Sequence, residues 1–569
     1  MRRPPLERLV ALLGSMLLAF GAIVVRLTVL QVSQADAYQS KALDQRLRTV
    51  TLTATRGRIL DRSDEPLAIS MPARDVYADP RYVDDVAGEA ARIAPMLGMK
   101  VADVEQRLSA GGTFSWVARQ VDLGTAQRLE RLQLPGLGFL PSTKRSYPAG
   151  SLASQVLGFV NVDGTGIAGM ELEYQKELAG TPGERTQEID PNGQPIVGGV
   201  DVERPPVPGS DLVLTIDRDF QFQVQAALED AVHRNLAVGG TVVVMDPRTG
   251  EIYAMATYPW FDPNDPTASR EAAWRARAIT DSYEPGSVNK VITASAAVQE
   301  HAVGLDQRLR VPWTMKVGDF TIHDSHQHPV EHMTLGDIVA ESSNIGAVEV
   351  ARRLGERRLD AYIGRFGLGK ATEVGFPGEA SGTVLPLWEW TDTSLATMAY
   401  GQGIAVTPLQ MAAVYATVAN GGEWVRPRLV RGWVGPSGSF RPARPSATRR
   451  VISPATARTV TQMLAYTVDA GTGTAAQIPG YQVAGKTGTA RIPDPAGGYY
   501  TNRSIASFIG FLPASDPRVV IAAMIDRPAT VYGGIAAAPL FQQVARYAIQ
   551  RLGIAPGAPV PLPPHALPV

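Results

Sequence analysis

The 569-residue chain predicts an α+β fold: one mixed sheet with an inserted helical subdomain, preceded by a separate N-terminal module and a single apolar helix. Three observations carry this expectation. Strand-like runs stand at both ends of the region from residue 237 to 554, so that its terminal segments would pair in one sheet. Helical patterns fill the interval from 271 to about 420. Residues 9–25 are uncharged and almost wholly apolar, and Leu27-Thr28-Val29-Leu30 extends the run past Arg26.

The apolar run suits one membrane crossing of about 20 residues, with Arg26 snorkelling at the far end. No small-x-small cleavage site follows, so the reading is an uncleaved anchor over residues 9–32. Arg2, Arg3 and Arg8 favour a cytoplasmic tail at residues 1–8, although Arg26, Lys41, Arg46 and Arg48 weigh on the other side. The rest then lies outside the membrane. A module from 33 to 236 begins with a helical stalk to about residue 48 and continues through a turn-rich, strand-flanked segment at 56–68. Residues 79–132 read as helical segments with short breaks, and 144–183 as glycine-rich turns. A strand at 211–217 leads into a helix near 221–234.

The main domain, 237–554, opens with a hairpin: Thr241-Val242-Val243-Val244-Met245-Asp246 and Glu251-Ile252-Tyr253-Ala254-Met255-Ala256, joined by Pro247-Arg248-Thr249-Gly250. Strands return at 481–490, 504–512 and 519–525, and a last helix spans about 539–552. The proline-rich tail, 555–569, is expected to be disordered. A net charge of −1 gives no support for a nucleic-acid partner. The absence of cysteine removes disulfides, thiol catalysis and Cys-ligated zinc.

The chemistry gathers in three clusters. In Glu284-Pro285-Gly286-Ser287-Val288-Asn289-Lys290, a Pro-Gly pair precedes an apolar helix, which puts Ser287 near backbone N–H groups and the positive helix end. Lys290, one turn on, can lie beside the Ser287 hydroxyl. In an apolar site it would lose proton affinity and could act as a base. Thr334-Leu335-Gly336-Asp337 is a capping-box pattern opening a helix to about Glu341, and Ser342-Ser343-Asn344 follows. There a hydroxyl could relay a proton and an amide could hold a peptide group. Lys486-Thr487-Gly488-Thr489 reads as a strand. Period-2 alternation puts Thr487 and Thr489 on one face and Lys486 on the other, while Gly488 permits close approach. Each cluster alone is weak. Their ordered occurrence is the mark of penicillin-binding proteins and class A β-lactamases.

The chain resembles a class B penicillin-binding protein, a monofunctional peptidoglycan D,D-transpeptidase with one N-terminal anchor. Further matches are Arg56-Gly57-Arg58-Ile59-Leu60-Asp61-Arg62, followed by Ser63 where Asn is more usual, then Tyr147-Pro148-Ala149-Gly150 and Gly166-Ile167-Ala168-Gly169-Met170-Glu171. Tyr400-Gly401-Gln402-Gly403, Thr407-Pro408-Leu409-Gln410 and Asn420-Gly421-Gly422 match as well. The resemblance implies a serine β-lactamase-like transpeptidase domain on an elongated α+β pedestal. It makes Ser287 the acylated nucleophile, Lys290 its base and Ser342 a proton relay. Asn344 would grip the donor peptide, and Lys486, Thr487, Gly488 and Thr489 would form the carboxylate-binding strand. The backbone N–H groups of Ser287 and Thr489 would make the oxyanion hole.

The same resemblance implies peptidoglycan stem peptides on nascent lipid-linked glycan as substrates, β-lactams as acylating inhibitors, and no cofactor. Tyr283-Glu284-Pro285-Gly286-Ser287 resembles the septal branch more than the elongation branch, which implies a SEDS glycosyltransferase and other division proteins as partners. An elongation-type transpeptidase of the same family is the first alternative; a D,D-carboxypeptidase or β-lactamase is disfavoured by the large N-terminal module and the lack of a class A deacylation-glutamate loop. A β-lactam sensor or a non-catalytic division scaffold is disfavoured by the short leading segment and the complete triad.

Four of the seven histidines fall in the run from His323 to His332. A surface loop ahead of Ser342 is the favoured reading there over a zinc site, because no ligand spacing on a regular element supports a metal. Tyr499-Tyr500 is read as aromatic packing in a strand connection, and Arg56 and Arg58 as members of stiffening ion pairs. Glu284 has no claim to be the base in place of Lys290.

Overall fold

The computed structural model describes residues 6–34, 38, 46–190, 196–530 and 532–565. They fall into two compact units, residues 1–55 with 180–208 and residues 56–179 with 209–569. The first contains the helix Leu6–Thr28, with no buried residue, followed by a π-helical turn at Val29–Ser33. Leu6–Val32 is long and apolar enough to cross a membrane by length and composition. This unit also holds an antiparallel sheet in the order Leu47–Leu52, Gly183–Glu188, Asp201–Arg204. Residues 35–37 and 39–45 of the expected helical stalk lie outside the described residues. Its end, Leu47 and Arg48, is strand and not helix, because the β-branched run Thr49-Val50-Thr51 pairs with Arg185, Thr186 and neighbours.

In the second unit the Arg56-Gly57-Arg58 segment feeds a sheet in which Ile59–Leu60 pairs in parallel with Asp211–Leu214 and antiparallel with Pro66–Ala78. Asp211–Leu214 also pairs with Val430–Val434, so strands far apart in sequence share one sheet. The motif residues have physical jobs. A side chain on Gly57 would collide with the Ser210 carbonyl, 2.0 Å from where a Cβ would stand. Asp61 accepts from the backbone N–H groups of Ser63 and Glu65, and its second oxygen accepts from Arg218 N at 3.0 Å. Arg58 forks onto Asp211 at 2.7 and 2.9 Å. Residues 79–132, expected to be helical with breaks, also contain the strand Ser115–Asp122, which pairs with Pro66–Ala78. Its alternation is masked because only Val117 and Val121 turn to the core.

The helix α1 (Arg218–Arg234) precedes strands β1 (Gly239–Met245) and β2 (Ile252–Tyr258). Next come α2 (Lys290–Gln299), α3 (Leu335–Ala340) and α4 (Asn344–Leu354). Strands β3 (Ala484–Pro493), β4 (Tyr499–Leu512) and β5 (Val519–Asp526) and helix α5 (Ala538–Leu552) complete the domain. The sheet order is β2-β1-β5-β4-β3, so the terminal segments do pair, through β1 and β5. Every pairing in it is antiparallel, where a mixed sheet was expected. The hairpins β1–β2 and β3–β4–β5 are antiparallel because short turns join them, and β1 meets β5 antiparallel across the insertion as well. Phe220, Val224 and Leu228 of α1 pack with Phe541 and Val544 of α5 over Val242 and Val244 on one face. The helical subdomain covers the other, with α2 at its centre.

The tail corrects its expectation as far as it is described. Val560 and Gln482 exchange hydrogen bonds at 2.7 and 3.3 Å, and Thr334 Oγ1 donates to the Pro564 carbonyl at 2.9 Å. Residues 555–565 are held by side chains of the domain, without regular structure of their own.

Candidate active site

Three segments meet at Ser287. The first is the 3-10 turn Gly286–Asn289, which runs directly into α2. Helix α2 is buried on all sides from Lys290 to Ala297, as befits a central core helix. Its entry is fixed by Asn289 Nδ2 donating to Met398 O at 2.9 Å and the Tyr415 hydroxyl donating to Val288 O at 3.0 Å. One helical turn brings Lys290 Nζ to 3.0 Å from Ser287 Oγ.

The second segment joins α3 to α4. The expected capping box is present: Thr334 and Asp337 satisfy each other's backbone N–H groups. Ser342 takes a left-handed conformation, φ 63°, at a cost of about 1–3 kcal/mol for a non-glycine residue. That kink ends α3 and lets Ser343 cap α4 at once. It also turns the Ser342 carbonyl and hydroxyl toward Lys290. Nζ contacts the Ser342 carbonyl oxygen, Ser342 Oγ at 3.3 Å and Asn344 Oδ1 at 2.8 Å.

With Ser287 this makes four neighbours, one more than the three donors of an ammonium group. A neutral amine can use three of them equally well: it donates to the Ser342 carbonyl and Asn344 Oδ1 and accepts from a serine hydroxyl. Burial drives the Lys290 pKa from 10.5 down to about 7, against the opposing pull of Asp324.

The third segment is β3, the edge strand of the sheet. Thr487 is buried and Thr489 exposed, its hydroxyl accepting from Gly533 N at 3.1 Å. Lys486 departs from the strand-alternation expectation. Its stem curls so that Nζ lies 3.2 Å from both the Thr487 hydroxyl and carbonyl, and 3.4 Å from Thr472 Oγ1. Its pKa is lowered well below the ordinary value, by burial and then by Lys290. Gly488 is required sterically: a Cβ would stand 2.4 Å from Ser507 Oγ and 2.9 Å from Val288 Cγ1. The Gly286–Asn289 turn lies against this strand, since a Cβ on Gly286 would be 3.1 Å from Thr489 O.

Ser287, Lys290, Ser342, Asn344, Lys486, Thr487, Gly488 and Thr489 are thus brought together. Sequence reasoning missed two residues around them. Asp324, only 4% exposed, accepts from Ser343 Oγ at 2.7 Å, from Ile345 N at 3.1 Å, from Asn344 N, and from His328 Nε2 at 3.2 Å when that nitrogen is protonated. Its carboxylate therefore caps α4, where negative charge is favoured. The signal was present in the histidine-rich run, which the sequence reading made a surface loop. Buried backbone donors draw its aspartate inward. Among the described residues no group of three metal-ligating side chains could hold an ion. Thr472, the other omission, bonds Thr487 Oγ1 at 2.8 Å and donates to the Ala340 carbonyl at 3.2 Å, tying β3 to α3. Tyr499 donates to Glu284, and Tyr500 lies under the Arg503 guanidinium at 4.3 Å.

The chain matches the penicillin-binding protein transpeptidase domain over residues 240–546 and the penicillin-binding protein dimerisation domain over residues 51–214. It is 36% identical over 583 residues to penicillin-binding protein PbpB of Mycolicibacterium smegmatis, spanning 95% of this chain and 90% of that one. It is 34% identical over 564 residues to peptidoglycan D,D-transpeptidase FtsI of Escherichia coli K12, spanning 97% and 93%. Among solved structures, penicillin-binding protein 3 of Mycobacterium tuberculosis complexed with aztreonam superposes with a TM-score of 0.72 at 32% identity, covering 90% of this chain and all of that one. This chain belongs to the penicillin-binding protein transpeptidases, and its pairing of a dimerisation domain with a transpeptidase domain is that of class B.

Proposed function

We propose that the protein is a peptidoglycan D,D-transpeptidase that cross-links stem peptides through an acyl-enzyme on Ser287. The observation that carries this reading is the contact of one buried lysine amine, Lys290 Nζ, with Ser287 Oγ, Ser342 Oγ and Asn344 Oδ1 together. A neutral Lys290 takes the Ser287 proton as Oγ attacks the carbonyl of the D-Ala-D-Ala bond. The oxyanion is received by the N–H groups of Ser287 and Thr489. Ser342 passes the proton to the leaving nitrogen, and D-alanine departs. An amine from a second stem peptide then attacks the ester, its proton returns through the same relay, and the serine is freed as the cross-link forms. Asn344 holds the donor peptide, while Lys486, Thr487 and Thr489 receive its terminal carboxylate. A β-lactam carries a comparable acyl group and leaves the serine blocked.

A membrane-proximal module at 33–236 and a catalytic domain at 237–554 are part of this proposal. So are a cytoplasmic N-terminus, an extracytoplasmic catalytic domain and a septal role beside a SEDS glycosyltransferase and other division proteins. The similarity to FtsI supports the septal assignment. Intact-mass spectrometry after exposure to penicillin tests the chemistry. A stable adduct on the wild type and none on Ser287→Ala is expected. Rapid drug turnover without an adduct would make the protein a hydrolase.

A further inference from the structure

Glu284 stands three residues before Ser287 and takes no part in the proton transfers just described. Its half-buried carboxylate joins two remote segments. Oε1 accepts from Gly403 N at 2.9 Å, and Oε2 accepts from the Tyr499 hydroxyl at 2.9 Å. Burial raises its pKa in spite of those two donors. The nucleophile turn does not need this carboxylate for its own shape. Tyr283 exchanges two backbone hydrogen bonds with Val406, each 2.9 Å, and Gly286 N donates to Gly401 O at 2.9 Å. What Glu284 adds is the link to Tyr499.

Tyr499 opens β4 and pairs with Pro493 of β3 across the turn at 494–498. The hairpin tip is weakly held. Residues 499–503 are exposed or half-buried, and burial along β4 begins only at Ser504. The register slips between Arg491 and Pro493. Among the described residues, the bond from Tyr499 to Glu284 is the side-chain hydrogen bond that ties 494–503 to the rest of the domain. A few residues back along the same β3 lie Lys486, Thr487 and Thr489.

We propose that Glu284 is a positioning residue: through Tyr499 it clamps the β3–β4 hairpin to the nucleophile turn and so sets the gap between Ser287 and the substrate-binding edge of β3. The inference rests on the transpeptidase reading above. The clamp requires hydrogen-bond geometry and no charge. A glutamine can accept from Gly403 N through its amide oxygen and donate to the Tyr499 oxygen through its amide nitrogen. Misplacement of a reacting group by a fraction of an ångström slows acylation without abolishing it.

The test is the second-order rate of acylation by penicillin, with amide hydrogen exchange over residues 494–503, in the full-length protein. Glu284→Ala and Tyr499→Phe are each expected to slow acylation about tenfold, and the double variant to be no slower than the slower single one. Exchange in the tip should quicken in both, with the melting temperature of Tyr499→Phe unchanged. Glu284→Gln should restore acylation to within about twofold of wild type. Wild-type rates in both Glu284→Ala and Tyr499→Phe would overturn the clamp. So would a Glu284→Gln variant as slow as Glu284→Ala, since the charge would then be the operative feature. Should Glu284→Ala fail to fold, Tyr499→Phe against wild type decides. A wild type that forms no adduct would count against the transpeptidase reading, and tip exchange would still decide the clamp.

Discussion

Glu171 in the N-terminal module and Lys290 in the cleft are both shut off from water, at 0% and 2% exposure, and their surroundings answer that burial in opposite ways. Glu171 accepts from Arg56 Nε at 2.6 Å, Arg145 Nε at 2.7 Å and the Tyr147 hydroxyl at 3.2 Å, while its own carbonyl accepts from Arg56. Arg56 continues to Gly164 O and Gln175, and Arg145 to Gly57 O. Tyr147 in turn exchanges hydrogen bonds with Asn264 of the catalytic region at 3.0 Å. Here burial comes with opposite charge, and the result is a buried ion-pair network that joins several segments. Lys290 is surrounded by two hydroxyls, a carbonyl and an amide. The carboxylate in range, Asp324, is already engaged by other donors. Burial without a partnered charge lowers proton affinity, and the result is an amine fit for the base proposed above. The difference teaches that a buried ionisable group is structural or chemical according to its partners and not its depth.

The sharpest way to break the comparison is to remove Lys290. Lys290→Met should fold and lose about 100- to 10,000-fold in the rate of penicillin acylation, measured by intact mass over time. The stability gap between the two proteins should also move with pH. The folded-state pKa of about 7 lies below the ordinary 10.5, so between those values the unfolded chain binds the extra proton. Wild type should therefore gain stability relative to Lys290→Met as pH rises through that window, and the burial cost should be at its greatest below pH 7. Denaturant titrations at pH 7 and pH 9 measure this.

Glu171→Gln should act in the reverse sense, costing about 3–5 kcal/mol by stranding two guanidinium groups. The fraction that stays folded should acylate at the wild-type rate. Thermal melts and acylation of the same sample separate the two effects. Asp324→Asn lies between the regions in character, because it caps α4 and its charge also acts on Lys290. It should cost about 1–2 kcal/mol and slow acylation about tenfold, since Ser343 and Asn344, the residues next to Ser342 in the chain, lose a shared anchor. Deleting residues 555–569 should have the smallest effect, about 1 kcal/mol, because the tail is held by a few hydrogen bonds at the rim. A melt of the truncated chain reads it.

Much of the site was legible because its chemistry is local. Ser287 and Lys290 are one helical turn apart, Thr334 and Asp337 close a capping box, and Thr487 and Thr489 alternate on a strand. What escaped is what depends on reach or on distant partners. Lys486 belongs by alternation to the face opposite Thr487, yet four methylenes carry its amine round to the Thr487 hydroxyl. Asp324 is marked in the sequence only by its place in the histidine-rich run. Its role comes from the N-terminus of a helix twenty residues on. The tail lacks any period because prolines cannot build a ladder, and Gln482 and Thr334 hold it from outside. The fold followed the same rule. Hairpins and the β1–β5 closure were readable, while the strand Ser115–Asp122 was concealed by polar residues on its half-exposed face.

The most direct measurement of the central claim, that a buried neutral lysine activates Ser287, is the pH profile of the second-order acylation rate of the wild-type protein. Lys290 must be unprotonated to take the serine proton. The rate should be flat above about pH 8 and fall through a midpoint near 7, dropping about tenfold per unit below it. A rate that stays level down to pH 5, or a limb centred near the ordinary lysine value of 10.5, would contradict the account.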